Sequence, residues 1–170
     1  SRNPRPSPED RHGSAIRHGA RRRRAVGRAA VAPGRLPDVR EQPNYRIEVK
    51  DEARRSIEHL ARESSDGNET GGILLGRGPD AGGEIHVEIA GDPGPNADRR
   101  PDFFLRDLAH AQLLASRAWE ERRAIWVGEW HTHPEGGVAP SPVDLATYAR
   151  LLSASALEFE VFVSVIVVPD

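Results

Sequence analysis

The sequence predicts an α/β domain in which one mixed β-sheet is covered by helices. Within residues 45–170, apolar segments with strand character alternate with segments of helical period, in the order β-α-β-β-α-β-α-β. The last of them, residues 159–168, is β-branched and apolar enough for a central strand. Strands and helices mixed in this way leave a single helix-covered sheet as the economical architecture.

Residues 45–49 read as a short first strand. Val49, Ala53, Ile57, Leu60 and Ala61 then recur at helical spacing, which gives an amphipathic helix ending near Glu63. Ser65-Asp66-Gly67-Asn68 is a turn cluster, and residues 71–76 form an apolar run bounded by glycines, as a buried strand does. Residues 84–89 alternate polar and apolar, the pattern of a half-buried strand. The Pro/Gly/Asp-rich stretch 91–101 is expected to be a loop. Phe104, Leu105, Leu108, Ala111, Leu114, Ala115 and Ala118 mark a second helix, residues 124–131 the next strand, and residues 142–153 a third helix beyond a loop at 134–140.

Residues 1–44 have a different character. Eleven arginines, four of them consecutive at Arg21–Arg24, stand against four acidic residues, a formal +7, and prolines interrupt any apolar period. The rest of the chain carries −9, so the overall −2 conceals a basic tail on an acidic domain. Low hydrophobicity with high charge predicts disorder for 1–44, leaving 45–170 as the one folded domain. The arginine run could serve nucleic-acid or partner binding, or be a solvated tail or a wrongly extended reading frame. Without interleaved aromatics or a nucleic-acid-binding fold, composition argues against nucleic acid.

Cysteine is absent, so there is no disulfide, and any metal must be held by histidine and carboxylate. That suits a cytoplasmic protein. No apolar run approaches the ~20 residues that span a bilayer, and no hydrophobic stretch follows the N-terminal arginines, so neither a membrane span nor a secretory signal is expected.

The candidate chemistry lies at the end of the strand 124–131. His131 and His133 stand at i and i+2, where a strand points both side chains to one face. Asp144 follows eleven positions later, beyond a loop whose Gly136, Gly137, Pro140 and Pro142 can fold a helix start back onto the histidines. Two imidazoles and a carboxylate leave a fourth tetrahedral position open, as in catalytic rather than structural zinc sites. Each piece also has a plainer reading. Ser141-Pro142-Val143-Asp144 is a capping-box-like helix start, and two outward histidines on a strand need no ligand.

The combination with Glu69-Thr70-Gly71-Gly72-Ile73-Leu74-Leu75-Gly76 carries more weight. The chain resembles the JAMM, or MPN-plus, zinc metalloproteases, including their prokaryotic JAB-like members. Their pattern is a Glu before a Gly-apolar-Leu-X-Gly strand, then His-X-His-Pro, six residues, Ser, two residues and Asp. Glu69, His131-Thr132-His133-Pro134, Ser141 and Asp144 fit every spacing, and the resemblance spans about residues 45–170. The wording His-Thr-His-Pro and Ser-Pro-Val-Asp-Leu is similar to the deubiquitinating branch.

That resemblance implies an αβα sandwich around a mixed sheet, of the kind shared with cytidine deaminases, and one Zn²⁺ per chain. It implies His131, His133 and Asp144 as ligands, Glu69 as general acid/base and Ser141 as oxyanion stabiliser. The implied substrate is a ubiquitin-like or sulfur-carrier protein with an extended C-terminal tail, cut at the peptide or isopeptide bond after its C-terminus. A tail of that kind could add as a strand beside the site. Two alternatives stand beside it: a peptidase releasing a single amino acid such as cysteine from a carrier, and a non-catalytic MPN-type scaffold.

The chain departs from the pattern at Glu129, where the family usually has an aromatic. Strand alternation points Glu129 to the face of both histidines, as an orienter of His131 or a rival base. We favour Glu69 as the base, because Glu129 shares a strand with the ligands and must lean along it to reach a bound water. The chain also stops at Val168-Pro169-Asp170, where relatives usually continue, so an incomplete C-terminal edge is expected. His59, His86 and His110 lack partners at ligand spacing and read as ordinary surface or packing histidines. Trp119, Trp126 and Trp130 read as core or groove wall, with Trp130, next to the site, the candidate exception.

Overall fold

A computed structural model describes residues 44–168. The expectation of a disordered basic tail falls almost wholly on residues outside that range. The described elements are β1 (Arg46–Val49), α1 (Asp51–Glu63), β2 (Gly71–Arg77), β3 (Glu84–Ala90), β4 (Asp98–Arg100), β5 (Phe103–Leu105), α2 (Leu108–Arg122), β6 (Ile125–Thr132), α3 (Pro142–Ser153) and β7 (Val163–Val167). Among them no helix is long and apolar enough to cross a membrane.

Five strands form one mixed sheet in the order β1-β3-β2-β6-β7. β1 runs parallel to β3 and β6 parallel to β7, while β2 is antiparallel to both its neighbours. The helices take opposite faces because their apolar stripes need different partners. Ala53 and Ile57 of α1 pack on Leu74, Ile85, Val87 and Trp130. Ala111 and Ala118 of α2 pack on Ile73 and Leu75. The expected helix-covered mixed sheet is therefore what forms, a layer of helix on each side of the strands.

β2 is buried along all but its last residue, which is why it reads as an unbroken apolar run. Its two leading glycines are required by space. A Cβ on Gly71 would lie 2.2 Å from the Trp130 carbonyl oxygen, and one on Gly72 only 2.0 Å from that of Gly91. Two bulges set the faces of the neighbouring strands: register slips between Leu75 and Gly76 against β3, and between Leu74 and Leu75 against β6. Across the first, Val87 faces α1 while Ile89 joins the α2 side, so the strict alternation read for 84–89 holds only as far as Val87.

Three expectations are corrected. The presumed loop 91–101 contains β4, and Phe104 and Leu105 belong to β5 rather than to a helix. The two strands make a hairpin across Pro101-Asp102, and α2 begins only at Leu108, where Asp107 caps it by accepting from the His110 amide. Proline at the first turn position and a following acid favour such a tight turn. Trp119 is no core residue: it is 49% exposed on α2, with the Arg123 guanidinium over its ring. Strand character in 159–168 begins only at Val163. That strand, β7, lies at the edge of the sheet among the described residues rather than at its centre, mostly half-buried, its apolar residues covering one side of β6. Trp130 is fully buried, its indole N–H donating to the Gly91 carbonyl at 2.9 Å. It belongs to the core and not to the cleft.

Candidate active site

The site forms where β6 runs out. Trp130 points into the α1 side, so Glu129 and His131 point to the α2 side. Thr132, between the histidines, turns away and fastens the segment preceding β2. Its amide donates to the Thr70 carbonyl at 2.8 Å, and its hydroxyl accepts from the Thr70 amide at 2.9 Å. This brings Glu69 to the end of the ligand strand.

His131, His133 and Asp144 converge. The two imidazole Nε2 atoms are 3.0 Å apart, and Asp144 Oδ2 lies 3.5 Å from His131 Nε2 and 3.4 Å from His133 Nε2. A tetrahedral zinc with arms of about 2.0–2.1 Å has ligand–ligand edges of about 3.3–3.4 Å, so the donor triangle fits that ion. His133 Nδ1 sits 2.6 Å from the Gly137 carbonyl, which can only accept; the proton is therefore on Nδ1 and the Nε2 lone pair is free. Burial, together with the nearby His133 and the Arg106 guanidinium, holds His131 below its ordinary pKa against the pull of Asp144, favouring neutral imidazole.

Asp144 is held by its helix. Ser141 and Asp144 form a reciprocal capping box at the start of α3: the Ser141 hydroxyl accepts from the Asp144 amide at 3.2 Å, and the Ser141 amide donates to Asp144 Oδ2 at 2.7 Å. Burial raises the Asp144 carboxyl, but these two bonds and the neighbouring histidines outweigh it, and the net direction is down. Capping and facing the imidazoles thus fall to the same carboxylate. The Ser141 hydroxyl proton stays free to donate. No residue of α3 is fully buried; one turn after Asp144, Tyr148 anchors the helix through a 2.6 Å bond with Ser164 of β7.

Glu69, Ser141, His131 and Asp144 line a common cleft of 380 Å³, walled by β5 through Phe104 and by α3 through Thr147. Glu69 is half-buried, and its carboxylate makes no hydrogen bond among the described residues. Burial lifts its pKa; Asp144 and Asp102 push the same way and His133 opposes. A larger hollow of 790 Å³, between Ala61, Arg62, Thr132 and Val167, contains none of these four residues.

Glu129 lines the cleft too, but it neither bonds to His131 nor stands free as a base. It is paired with Arg106, just beyond β5, in a contact almost closed to solvent. Arg106 also lies over the Trp126 ring at 5.6 Å. Breaking a buried pair by removing one partner leaves an uncompensated charge, which costs about 3–5 kcal/mol. Arg106→Met is therefore expected to lower the urea unfolding free energy by about that much, and Arg106→Met/Glu129→Leu to recover most of it. A double variant no more stable than the single one would show that the pair is not what matters.

Sequence reasoning missed Arg99, Arg106 and Thr132 as supports of the site. The Phe-Phe-Leu run behind a Pro-Asp turn was the available signal for the hairpin that carries Arg99 and leads into Arg106. Among the remaining histidines His59 is exposed, His110 meets Asp92 at 2.9 Å, and His86 meets Glu48 at 2.7 Å. The last stands beside Asp80 and Glu84, so it is less isolated than its spacing suggested.

Two imidazoles and a carboxylate within ligand distance of one another, beside a cleft that Glu69 also lines, could hold a metal ion. The sequence matches the prokaryotic homologs of the JAB domain over residues 50–170, and the chain belongs to that family. It is 31% identical over 98 residues to a CD-NTase/cGAS isopeptidase of Vibrio cholerae, covering 56% of this chain and 58% of the relative. It is 34% identical over 94 residues to a protein of the same name from Enterobacter hormaechei, covering 52% and 48%. The chain thus spans about half the length of the curated relatives it matches. A Desulfitobacterium hafniense protein solved in solution, 19% identical, aligns with a TM-score of 0.49 over 74% of this chain and 94% of its own.

Proposed function

We propose that this chain is a zinc-dependent hydrolase of peptide or isopeptide bonds, acting after the C-terminus of a ubiquitin-like or sulfur-carrier protein. His131, His133 and Asp144 hold one Zn²⁺ per chain. The observation carrying this reading is the meeting of three donors 3.0–3.5 Å apart beside a cleft that also holds the Glu69 carboxylate, which has no hydrogen-bonding partner among the described residues. When bound, zinc lowers the pKa of a water ligand to about 7 and polarises the scissile carbonyl.

The chain's own groups do the rest. Glu69 takes a proton from the attacking water and returns it to the leaving amine; its raised pKa lets it hold that proton between the two events. The Ser141 hydroxyl donates to the oxygen that becomes tetrahedral. A tail ending in Gly-Gly suits a cleft between Phe104 and Thr147, because it brings no side chain to the reacting carbonyl.

The test is elemental analysis of the purified chain, together with cleavage of a ubiquitin-like protein joined to a reporter through its C-terminal Gly-Gly. About one zinc per chain is expected, with activity lost on chelation and restored by Zn²⁺. The names of the two relatives make a CD-NTase conjugate the isopeptide substrate to test beside it. Sub-stoichiometric metal, with hydrolysis indifferent to chelator, would falsify the zinc reading.

A further inference from the structure

We infer that Arg99 is a positioning residue for Glu69, acting through the β4–β5 hairpin; the inference rests on the reading of Glu69 as the base. The segment between α1 and β2 that delivers Glu69 has no regular structure of its own. It begins in the turn around Gly67 (φ +78°) and, among the described residues, is tied downstream where Thr70 meets Thr132. Upstream of that tie its attachments come from the hairpin.

The Glu69 amide donates to the Arg100 carbonyl at 2.8 Å. On the other side of the residue, Arg99 Nε donates to the Glu69 carbonyl at 3.1 Å. The same guanidinium closes a two-point pair with Asp66: Nη1 to Oδ2 at 3.1 Å and Nη2 to Oδ1 at 2.9 Å. Asp66 in turn accepts from the Asn68 amide at 3.1 Å. One planar group therefore spans the turn and the base.

An isolated exposed ion pair does little, but a bidentate arginine whose third edge also donates is the geometry in which such contacts fix position. Without Arg99 the Glu69 carbonyl loses its partner and the peptide is free to rotate, which swings the carboxylate. The partner strand of the hairpin, β5, supplies Phe103, Phe104 and Leu105 to the cleft. A substrate seated against β5 thus leans on the element that aims the base, and filling of the cleft and alignment of Glu69 are coupled.

The experiment compares Arg99→Met, Asp66→Asn and Arg99→Lys with the unaltered chain. It reads zinc content, hydrogen exchange of the amides in 66–70, and kcat and KM on the Gly-Gly fusion. Arg99→Met is expected to keep its zinc, to exchange faster at Glu69, and to lose kcat by roughly 10–100-fold, the scale of a small misplacement at a reacting group. KM should stay within about twofold. Asp66→Asn should move the same readouts less, and Arg99→Lys should recover part of the loss.

Unchanged exchange and kcat in Arg99→Met overturn the inference. So does a loss in which zinc, melting temperature and kcat fall together, since that is the mark of a merely structural residue. Glu69→Gln is assayed alongside to separate the two readings. If it turns over normally, the base assignment falls and the clamp with it; if it is inactive while Arg99→Met is normal, the clamp alone falls.

Discussion

Asp144→Asn is expected to give a folded protein with neither zinc nor measurable hydrolysis. Folding should persist because an asparagine oxygen can still accept from the Ser141 amide and keep the helix start intact. Metal binding should not, because a neutral amide is a poor zinc ligand. The affinity loss should exceed the ~10–100-fold that follows removal of a partner behind a ligand. Far-ultraviolet circular dichroism and elemental analysis of one preparation decide the matter. Full zinc occupancy in the variant would place Asp144 outside the ligand set and reduce it to a cap.

Glu69→Gln should behave in the opposite way, retaining zinc and losing turnover by at least ~10², the usual worth of a positioned general base. The contrast follows from placement. Asp144 Oδ2 faces both imidazoles, whereas Glu69 stands across the cleft with no hydrogen-bonding partner among the described residues. Glutamine keeps the shape and half-burial of the side chain but cannot carry a proton between water and amine. Zinc content and cleavage of the Gly-Gly fusion are measured together. Near-normal turnover would move the base elsewhere, and Arg106 at Glu129 makes that carboxylate a poor substitute.

The linear spacing of Glu69, His131, His133, Ser141 and Asp144 made the cluster legible before any coordinates, because each is delivered by an element with a plain signal. The strands of Gly71 and His131 are apolar runs, and α3 opens on Ser-Pro with an acid three residues on. The supports were harder to see because they depend on pairings distant in sequence. Arg99 and Asp66 are 33 residues apart, and Arg106 and Glu129 are 23 apart. The hairpin that carries Arg99 and leads into Arg106 hid behind three consecutive charged residues, Asp98, Arg99 and Arg100, which offer no apolar alternation to read. Trp119 was misjudged for the opposite reason: a large apolar side chain reads as core wherever it lies, and here an arginine covers it at the surface.

The irregularity in β6 decides more than local geometry. Trp126 lies with the α2 side, and a strict period of two from there along the same residues would send Trp130 into the cleft and His131 under α1. The extra residue around Val127 and Gly128 shifts the phase of the strand, so that the indole is entombed and the imidazoles are left reachable. Gly128 secures this shift, since a Cβ there would come within 1.9 Å of the Val163 carbonyl oxygen on the adjoining strand. A residue with no side chain, touching nothing in the cleft, is thereby part of what selects the side of the sheet on which the chemistry stands.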